Sequence, residues 1–321
     1  MKRLPIFAIF LGISLAIHSS PALAASAGQS CTKAGAKTVS ASKGTKTNLI
    51  CVKTGRKLLW TPETKSSATT SAPIISTKYI DQIDLADSTL HRISVNGGPT
   101  RSYFLHVPPT YSSSSPIPLM IALHGRTWTA SNFRTLTQLD TQADVKNFIV
   151  AYPDGDGQQW NAGLCCSFSL VDDVALIAGM IDSISSSYTI DKTRVGVYGW
   201  SNGAMMAFRS ACELSDRVTS IGVGAGSFVA TTCKPAKSAS VIEFHGTADP
   251  VLIVEGSGAY PSPVASAAKY ASAAKCSVAN PTTWTCPNGG EIKLFIQEGV
   301  EHYSQSWWAE MAAFFMSHPR T

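Results

Sequence analysis

Apolar and polar positions divide the chain into four stretches. Leu4 to Ile17 is a nearly unbroken apolar run behind Lys2 and Arg3. Between residues 25 and 61 apolar residues come in short alternating runs separated by glycine, ending with the run from Leu49 to Trp60. That pattern predicts a small hairpin. Residues 62–78 are rich in Ser, Thr, Pro and Ala and read as a flexible linker. From residue 79 the pattern changes: β-type apolar runs alternate with helix-like stretches. Strands are predicted at Tyr103–Val107, Pro118–Leu123, Phe148–Tyr152, Arg194–Tyr198, Ser220–Val223, Ser240–Phe244 and Ile292–Ile296, with helices near 136–146, 171–187, 202–214, 264–274 and 305–317. Such alternation predicts an α/β fold: a mostly parallel sheet covered by helices on both faces. In such sheets function gathers at the carboxyl ends of the strands.

Composition changes this picture in two places. The chain is 321 residues long, 44% hydrophobic and 15% charged, which excludes a disordered chain or a coiled coil. The net charge of +5 is concentrated at the front: residues 25–65 carry eight Lys/Arg against the single Glu63, whereas residues 66–321 carry 16 basic and 20 acidic side chains. A mildly acidic body argues against nucleic acid as a partner. The basic start, the apolar run and the small-x-small step Ala22-Leu23-Ala24 have the three parts of a secretory signal. The expected organisation is therefore a signal at 1–24, a basic module at 25–61, a linker at 62–78 and a catalytic domain at 79–321, exported and free of the membrane once the signal is cleaved.

Eight cysteines suit an oxidising compartment. Cys31 and Cys51, remote from the rest, are expected to pair, and so are Cys276 and Cys286, which flank a short loop. A bond between neighbours strains the backbone, so Cys165 and Cys166 are expected to bond to Cys212 and Cys233, with the pairing left open. No spacing gives a four-ligand zinc pattern, and no metal or organic cofactor is expected.

The strongest motif is Gly199-Trp200-Ser201-Asn202-Gly203, a Gly-x-Ser-x-Gly segment that follows a predicted strand and opens a predicted helix. A turn this tight needs small residues on both sides. It would hold the Ser201 hydroxyl at a helix N-terminus, where negative charge is favoured. A serine needs a base, and this architecture supplies acid and base in the order Ser, acid, His. His302, after the last strand and before the last helix, is the expected base. His318 is too near the end of the chain, and His245 is expected to shape its own loop. Asp249, in a Gly/Pro-bounded loop between the two, is the expected acid, holding the imidazole in its tautomer. Asp172 and Asp173 precede the serine and open a helix, which suits capping. The oxyanion donors are expected to be the backbone N–H groups of Asn202 and Arg126, the latter in the loop after Leu123-His124-Gly125, with Thr127 in reserve. Trp128, Trp160 and Trp200 lie near the motif loops and are candidates to stack on an aryl or sugar ring.

Taken together, several segments resemble a known family. They are Leu-His-Gly at 123–125, Ala-Tyr-Pro-Asp-Gly at 151–155, Trp160-Asn161 followed by Cys165-Cys166, and Val-Asp-Asp-Val at 171–174. Gly-Trp-Ser-Asn-Gly at 199–203, Cys-Glu-Leu-Ser-Asp at 212–216 and His-Gly-Thr-Ala-Asp-Pro at 245–250 continue the match. The chain resembles the polyhydroxybutyrate depolymerase and feruloyl or acetyl-xylan esterase family, an α/β-hydrolase branch, over roughly residues 88–318. The resemblance places Ser201, Asp249 and His302 on the family's triad positions. The surroundings of His302 depart from the family's Gly-Gly-His-Thr-Trp-Pro, and Ala204 replaces a second small glycine. The front module resembles a small Cys/Lys/Trp module of exported actinobacterial proteins; its basic face suits contact with anionic cell wall or polysaccharide, and a solvated appendage with no partner is the alternative.

The expected function is a secreted serine ester hydrolase of the feruloyl or acetyl-xylan esterase type, acting on plant polysaccharide esters. A polyester depolymerase is the alternative and would need an exposed apolar rim around its cleft. A wall-binding protein with a vestigial hydrolase body, or a secreted peptidase using the same triad, stand behind these.

Overall fold

The computed structural model describes residues 29–33, 36–42, 45–54, 57–62, 83–85, 88–166, 171–258 and 260–320. The expected signal at 1–24, and all of the expected linker except Pro62, lie outside these residues. The chain divides into two compact units, Met1–Ala72 and Pro73–Thr321.

The front unit is a three-stranded antiparallel sheet in the order β1 (Lys37–Ser42), β2 (Thr45–Thr54), β3 (Lys57–Pro62). It has one strand more than the hairpin predicted. The added strand, β1, has one large apolar residue, Val39, and that residue is 53% exposed. Pairing with β2 holds it, not burial, so no hydrophobic pattern announced it. Cys51 is buried opposite Trp60 and bonds to Cys31, with Cα atoms 6.0 Å apart.

The second unit is built on an eleven-stranded sheet. Its strands are β4 (Ile83–Leu85), β5 (Ser88–Ile93), β6 (Arg101–His106), β7 (Ile117–Leu123), β8 (Ile149–Pro153), β9 (Ile190–Trp200), β10 (Ser220–Gly224) and β11 (Ser240–Gly246). A separate two-stranded ribbon, β12 (Gly256–Ser257) and β13 (Tyr260–Pro261), follows, and β14 (Ser277–Asn280), β15 (Thr283–Thr285) and β16 (Glu291–Gln297) complete the large sheet. The order is β14-β15-β16-β11-β10-β9-β7-β8-β6-β5-β4. The six strands from β8 to β16 in that order are parallel, and the outer ones are antiparallel.

Strand alternation feeds two cores. On β7, Leu119, Ile121 and Leu123 enter one cluster while Met120 and Ala122 enter the other. The first cluster takes residues from α3 (Asp173–Ser187), α4 (Asn202–Glu213) and α5 (Pro263–Ala273). The second takes residues from α1 (Ala130–Thr137), α2 (Leu139–Lys146) and α6 (Ser306–Ser317). The helix predicted at 136–146 is two helices, because Gln138 adopts the left-handed conformation at φ 52° and breaks the ladder between them.

The disulfides correct one expectation. Cys212 on α4 bonds to Cys233, with Cα atoms 4.6 Å apart, and Cys276 bonds to Cys286 at 4.0 Å. Cys165 and Cys166 bond to each other instead of to Cys212 and Cys233. The end of α4 and the loop after β10 already lie within bonding distance, which takes both of the partners expected for the adjacent pair.

Candidate active site

The β9–α4 junction builds the centre of the site. Ser201 sits at φ 54°, ψ −119°, between the last strand residue and the first helical one. A side chain is rarely held in that region except at a functional turn. Two glycines make the turn fit. A Cβ on Gly199 would run into the backbone of Gly203, and a Cβ on Gly203 would run into the carbonyls of Leu123 and His124. The Ser201 N–H donates to Gly224 O at 2.8 Å, which fixes the turn against β10.

Three side chains from separate loops meet here. His302 Nε2 lies 2.9 Å from Ser201 Oγ, and His302 Nδ1 lies 2.7 Å from Asp249 Oδ2. The Asp249 side chain is fully buried, whereas that of His302 is 15% exposed. Burial opposes ionisation of Asp249, but hydrogen bonds from His245, from His302 and from the Leu252 N–H outweigh it and hold the carboxyl far below the usual carboxylate range. Its second oxygen, Oδ1, accepts the N–H groups of Val251 and Leu252 at 2.8 and 2.9 Å. The loop of His302 is fastened by Trp200, whose indole Nε1 donates to His302 O at 2.6 Å.

Arg126 and Asn202, the candidate oxyanion donors, both line the cleft that Ser201 opens into. The Asn202 N–H is in the first turn of α4 and has no acceptor within the helix. The Arg126 N–H makes no hydrogen bond among the described residues, whereas the Thr127 N–H donates to Gln158 O at 2.8 Å. Thr127 is thereby removed as the reserve. The Asn202 side chain acts elsewhere. Its Oδ1 accepts from the Trp160 N–H at 2.6 Å and its Nδ2 donates to Trp160 O at 3.1 Å, so it clamps the neighbouring loop.

Ser201 and His302 open into a cleft of about 360 Å³, lined also by Arg126, Trp200, Met205, Leu252, Tyr260 and the Cys165–Cys166 pair. Of the three tryptophans, only Trp200 lines it. Trp160 is fully buried, with its Nε1 donating to His124 O at 2.8 Å, and cannot stack on a ligand. Trp128 packs edge-on against Trp200 at 5.3 Å and does not line the cleft. Met205, Leu252 and Tyr260 were not singled out in the sequence. Met205 lies four residues after Ser201 on α4, which offered a signal. The ribbon carrying Tyr260 offered none.

Neighbouring polar groups support the loops. His124 accepts from the Gly155 N–H at Nε2 (2.8 Å) and meets Gly125 O at Nδ1 (2.7 Å), so Nδ1 carries the proton. Burial lowers its pKa. Asp172 caps α3 by accepting from the Ala175 N–H at 2.9 Å. Asp173, fully buried, pairs with Arg101 at 3.1 Å and accepts from the Asn161 N–H at 2.7 Å. Arg101 also donates to Asp154 O. Among the described residues no cluster of His, Cys, Asp and Glu could hold a metal ion.

Feruloyl esterase B of Piromyces equi is 29% identical over 165 residues, a stretch covering 49% of this chain and 30% of that protein. The bifunctional acetylxylan esterase/xylanase XynS20E of Neocallimastix patriciarum is 26% identical over 157 residues, covering 48% of this chain and 22% of that protein. The chain thus matches less than a third of the length of either relative. The structure of an acetyl xylan esterase from Aspergillus awamori superposes with a TM-score of 0.50 at 17% identity, covering 67% of this chain and 93% of that one. The second unit has the α/β-hydrolase fold. Residues 101–270, more than half of the chain, match the family model described as Esterase PHB depolymerase, and the protein belongs to that family.

Proposed function

We propose that this chain is a carboxylic-ester hydrolase of the feruloyl or acetyl-xylan type, with Ser201 as nucleophile, His302 as base and Asp249 as its orienting acid. The observation that carries this reading is the continuous hydrogen-bonded chain Asp249–His302–Ser201 opening into a cleft. His302 Nε2 takes the Ser201 proton as Oγ attacks the ester carbonyl. The carbonyl oxygen, now negative, is held by the N–H groups of Asn202 and Arg126. The tetrahedral adduct collapses, and the alcohol leaves with the proton from His302. Water then attacks the acyl-serine by the same route, releasing the acid and restoring Ser201. The names of the relatives support the choice of acyl group. Four disulfides support an exported protein, and the basic front unit would add contact with anionic cell wall or polysaccharide.

A fluorophosphonate probe is expected to label wild type and not Ser201→Ala. Ser201→Ala is also expected to lose about a millionfold in kcat on p-nitrophenyl acetate. Full activity in that variant would reject the mechanism. One observation favours a second reading, hydrolysis of a solid polyester: Val251, at the cleft, is 62% exposed, and Leu164, beside Cys165, is 68% exposed. Rates on methyl ferulate, acetylated xylan and polyhydroxybutyrate film separate the two.

A further inference from the structure

Glu243 and His245 lie two residues apart on β11, and strand alternation puts both on one face. Glu243 is paired in register with Val223 of β10 and Leu294 of β16, so apolar neighbours flank it on both sides. Glu243 is 0% exposed and His245 1%. Both carboxyl oxygens of Glu243 and the Nδ1 of His245 have no hydrogen-bond partner among the described residues. Polar groups so placed cost stability and call for an explanation.

His245 Nε2 meets Leu252 O at 2.6 Å and Asp249 Oδ2 at 3.3 Å. Both are acceptors, so Nε2 carries a proton, and in that tautomer Nδ1 is a bare acceptor. Burial pushes the Glu243 carboxyl well above the usual range, so it keeps its proton and has an O–H to donate. A donor and an acceptor, each unpaired, thus share one strand face, and the acceptor's ring touches Asp249.

We propose that Glu243 is a positioning residue for the Asp249–His302 pair: its carboxyl O–H, by a side-chain rotation or through one enclosed water, is the partner of His245 Nδ1 and fixes His245 in the form that donates from Nε2 to Asp249. The hydrogen-bonded chain then runs Glu243, His245, Asp249, His302, Ser201. No covalent bond changes along its buried half, and the proton stays on Glu243. The kinetic arm of the test rests on the esterase reading, and the spectroscopic arm does not.

The test compares Glu243→Leu with Glu243→Gln. Leucine removes an unpartnered carboxyl from an apolar site, so a purely structural role predicts an unchanged or higher Tm with wild-type kcat. The proposal predicts a lower Tm, because His245 Nδ1 loses its donor, and a kcat about fivefold lower at unchanged KM, the rate equivalent of one lost hydrogen bond. In Glu243→Gln the amide N–H still donates, and kcat is expected within about twofold of wild type. Nitrogen-15 NMR is expected to show the bare Nδ1 of His245 as a hydrogen-bonded acceptor in wild type and Glu243→Gln, and shifted to the position of a free acceptor in Glu243→Leu. Wild-type kcat in Glu243→Leu, or a free-acceptor Nδ1 signal in wild type, overturns the proposal. If Glu243→Leu does not fold, the wild-type and Glu243→Gln spectra still decide. If wild type hydrolyses no ester, the esterase reading fails, and the Nδ1 signal of His245 alone judges this one.

Discussion

Asp249 gathers more donors than any other carboxylate near the cleft: two imidazoles on one oxygen and two backbone N–H groups on the other. Replacing it with Asn leaves the shape but turns one acceptor into a donor. Asp249→Asn is therefore expected to lower kcat about 10⁴-fold through the wrong His302 tautomer, measured on p-nitrophenyl acetate. The same carboxylate links stability to acid. Its pKa is depressed on folding, so its contribution is fully present above the unfolded value of about 3.9 and is lost as pH falls toward the folded value. The Tm gap between wild type and Asp249→Asn is expected to be constant above about pH 4 and to narrow below it. A gap that widens in acid would contradict the assignment of that carboxylate.

Elements decide how exactly these side chains can be aimed. The Cys212–Cys233 bond, with 20 residues between its cysteines, ties the end of α4 to the loop after β10, the strand whose Gly224 holds the serine turn. Cys212→Ser with Cys233→Ser is expected to cost about 3 kcal/mol in denaturant unfolding by loop entropy. At this scale the reach of the sequence can be judged. The central strands and α3 to α6 were legible because their apolar periods are strong and both faces of the sheet are buried. The candidate residues Ser201, Asp249 and His302 could be picked out because each stands in the turn or loop that follows a strand. The edge strands β4, β5, β14 and β15 were not legible: all of β14 is exposed, and pairing, not apolar pattern, defines it. Trp160 was misplaced for a related reason, since aromatic identity near a motif does not say which way the loop turns the ring. The link from His245 to Asp249, four residues on, needs the turn after β11 to bring the carboxyl back over the ring, which spacing alone does not fix.

The molecule as a whole comprises two units of very different size. The front unit has one disulfide and a three-stranded sheet, too small a core to stand without that staple. The candidate triad residues and the cleft all belong to the larger unit, so removal of residues 25–61 is expected to leave kcat/KM on p-nitrophenyl acetate unchanged. If the basic unit binds polysaccharide, the same deletion lowers retention on insoluble xylan or cell wall without touching that rate. Equal retention of both forms would remove the front unit from substrate engagement.

The pairing of the cysteines has a consequence for how the chain would age outside a cell. One bridge joins residues 31 and 51, and the other three all lie at or beyond residue 165. A single proteolytic nick anywhere between Cys51 and Cys165 therefore severs the polypeptide with nothing covalent left to join its pieces. When such a nick falls between the two units, the products should migrate as separate bands on a gel run without reductant, each still carrying its own bridges.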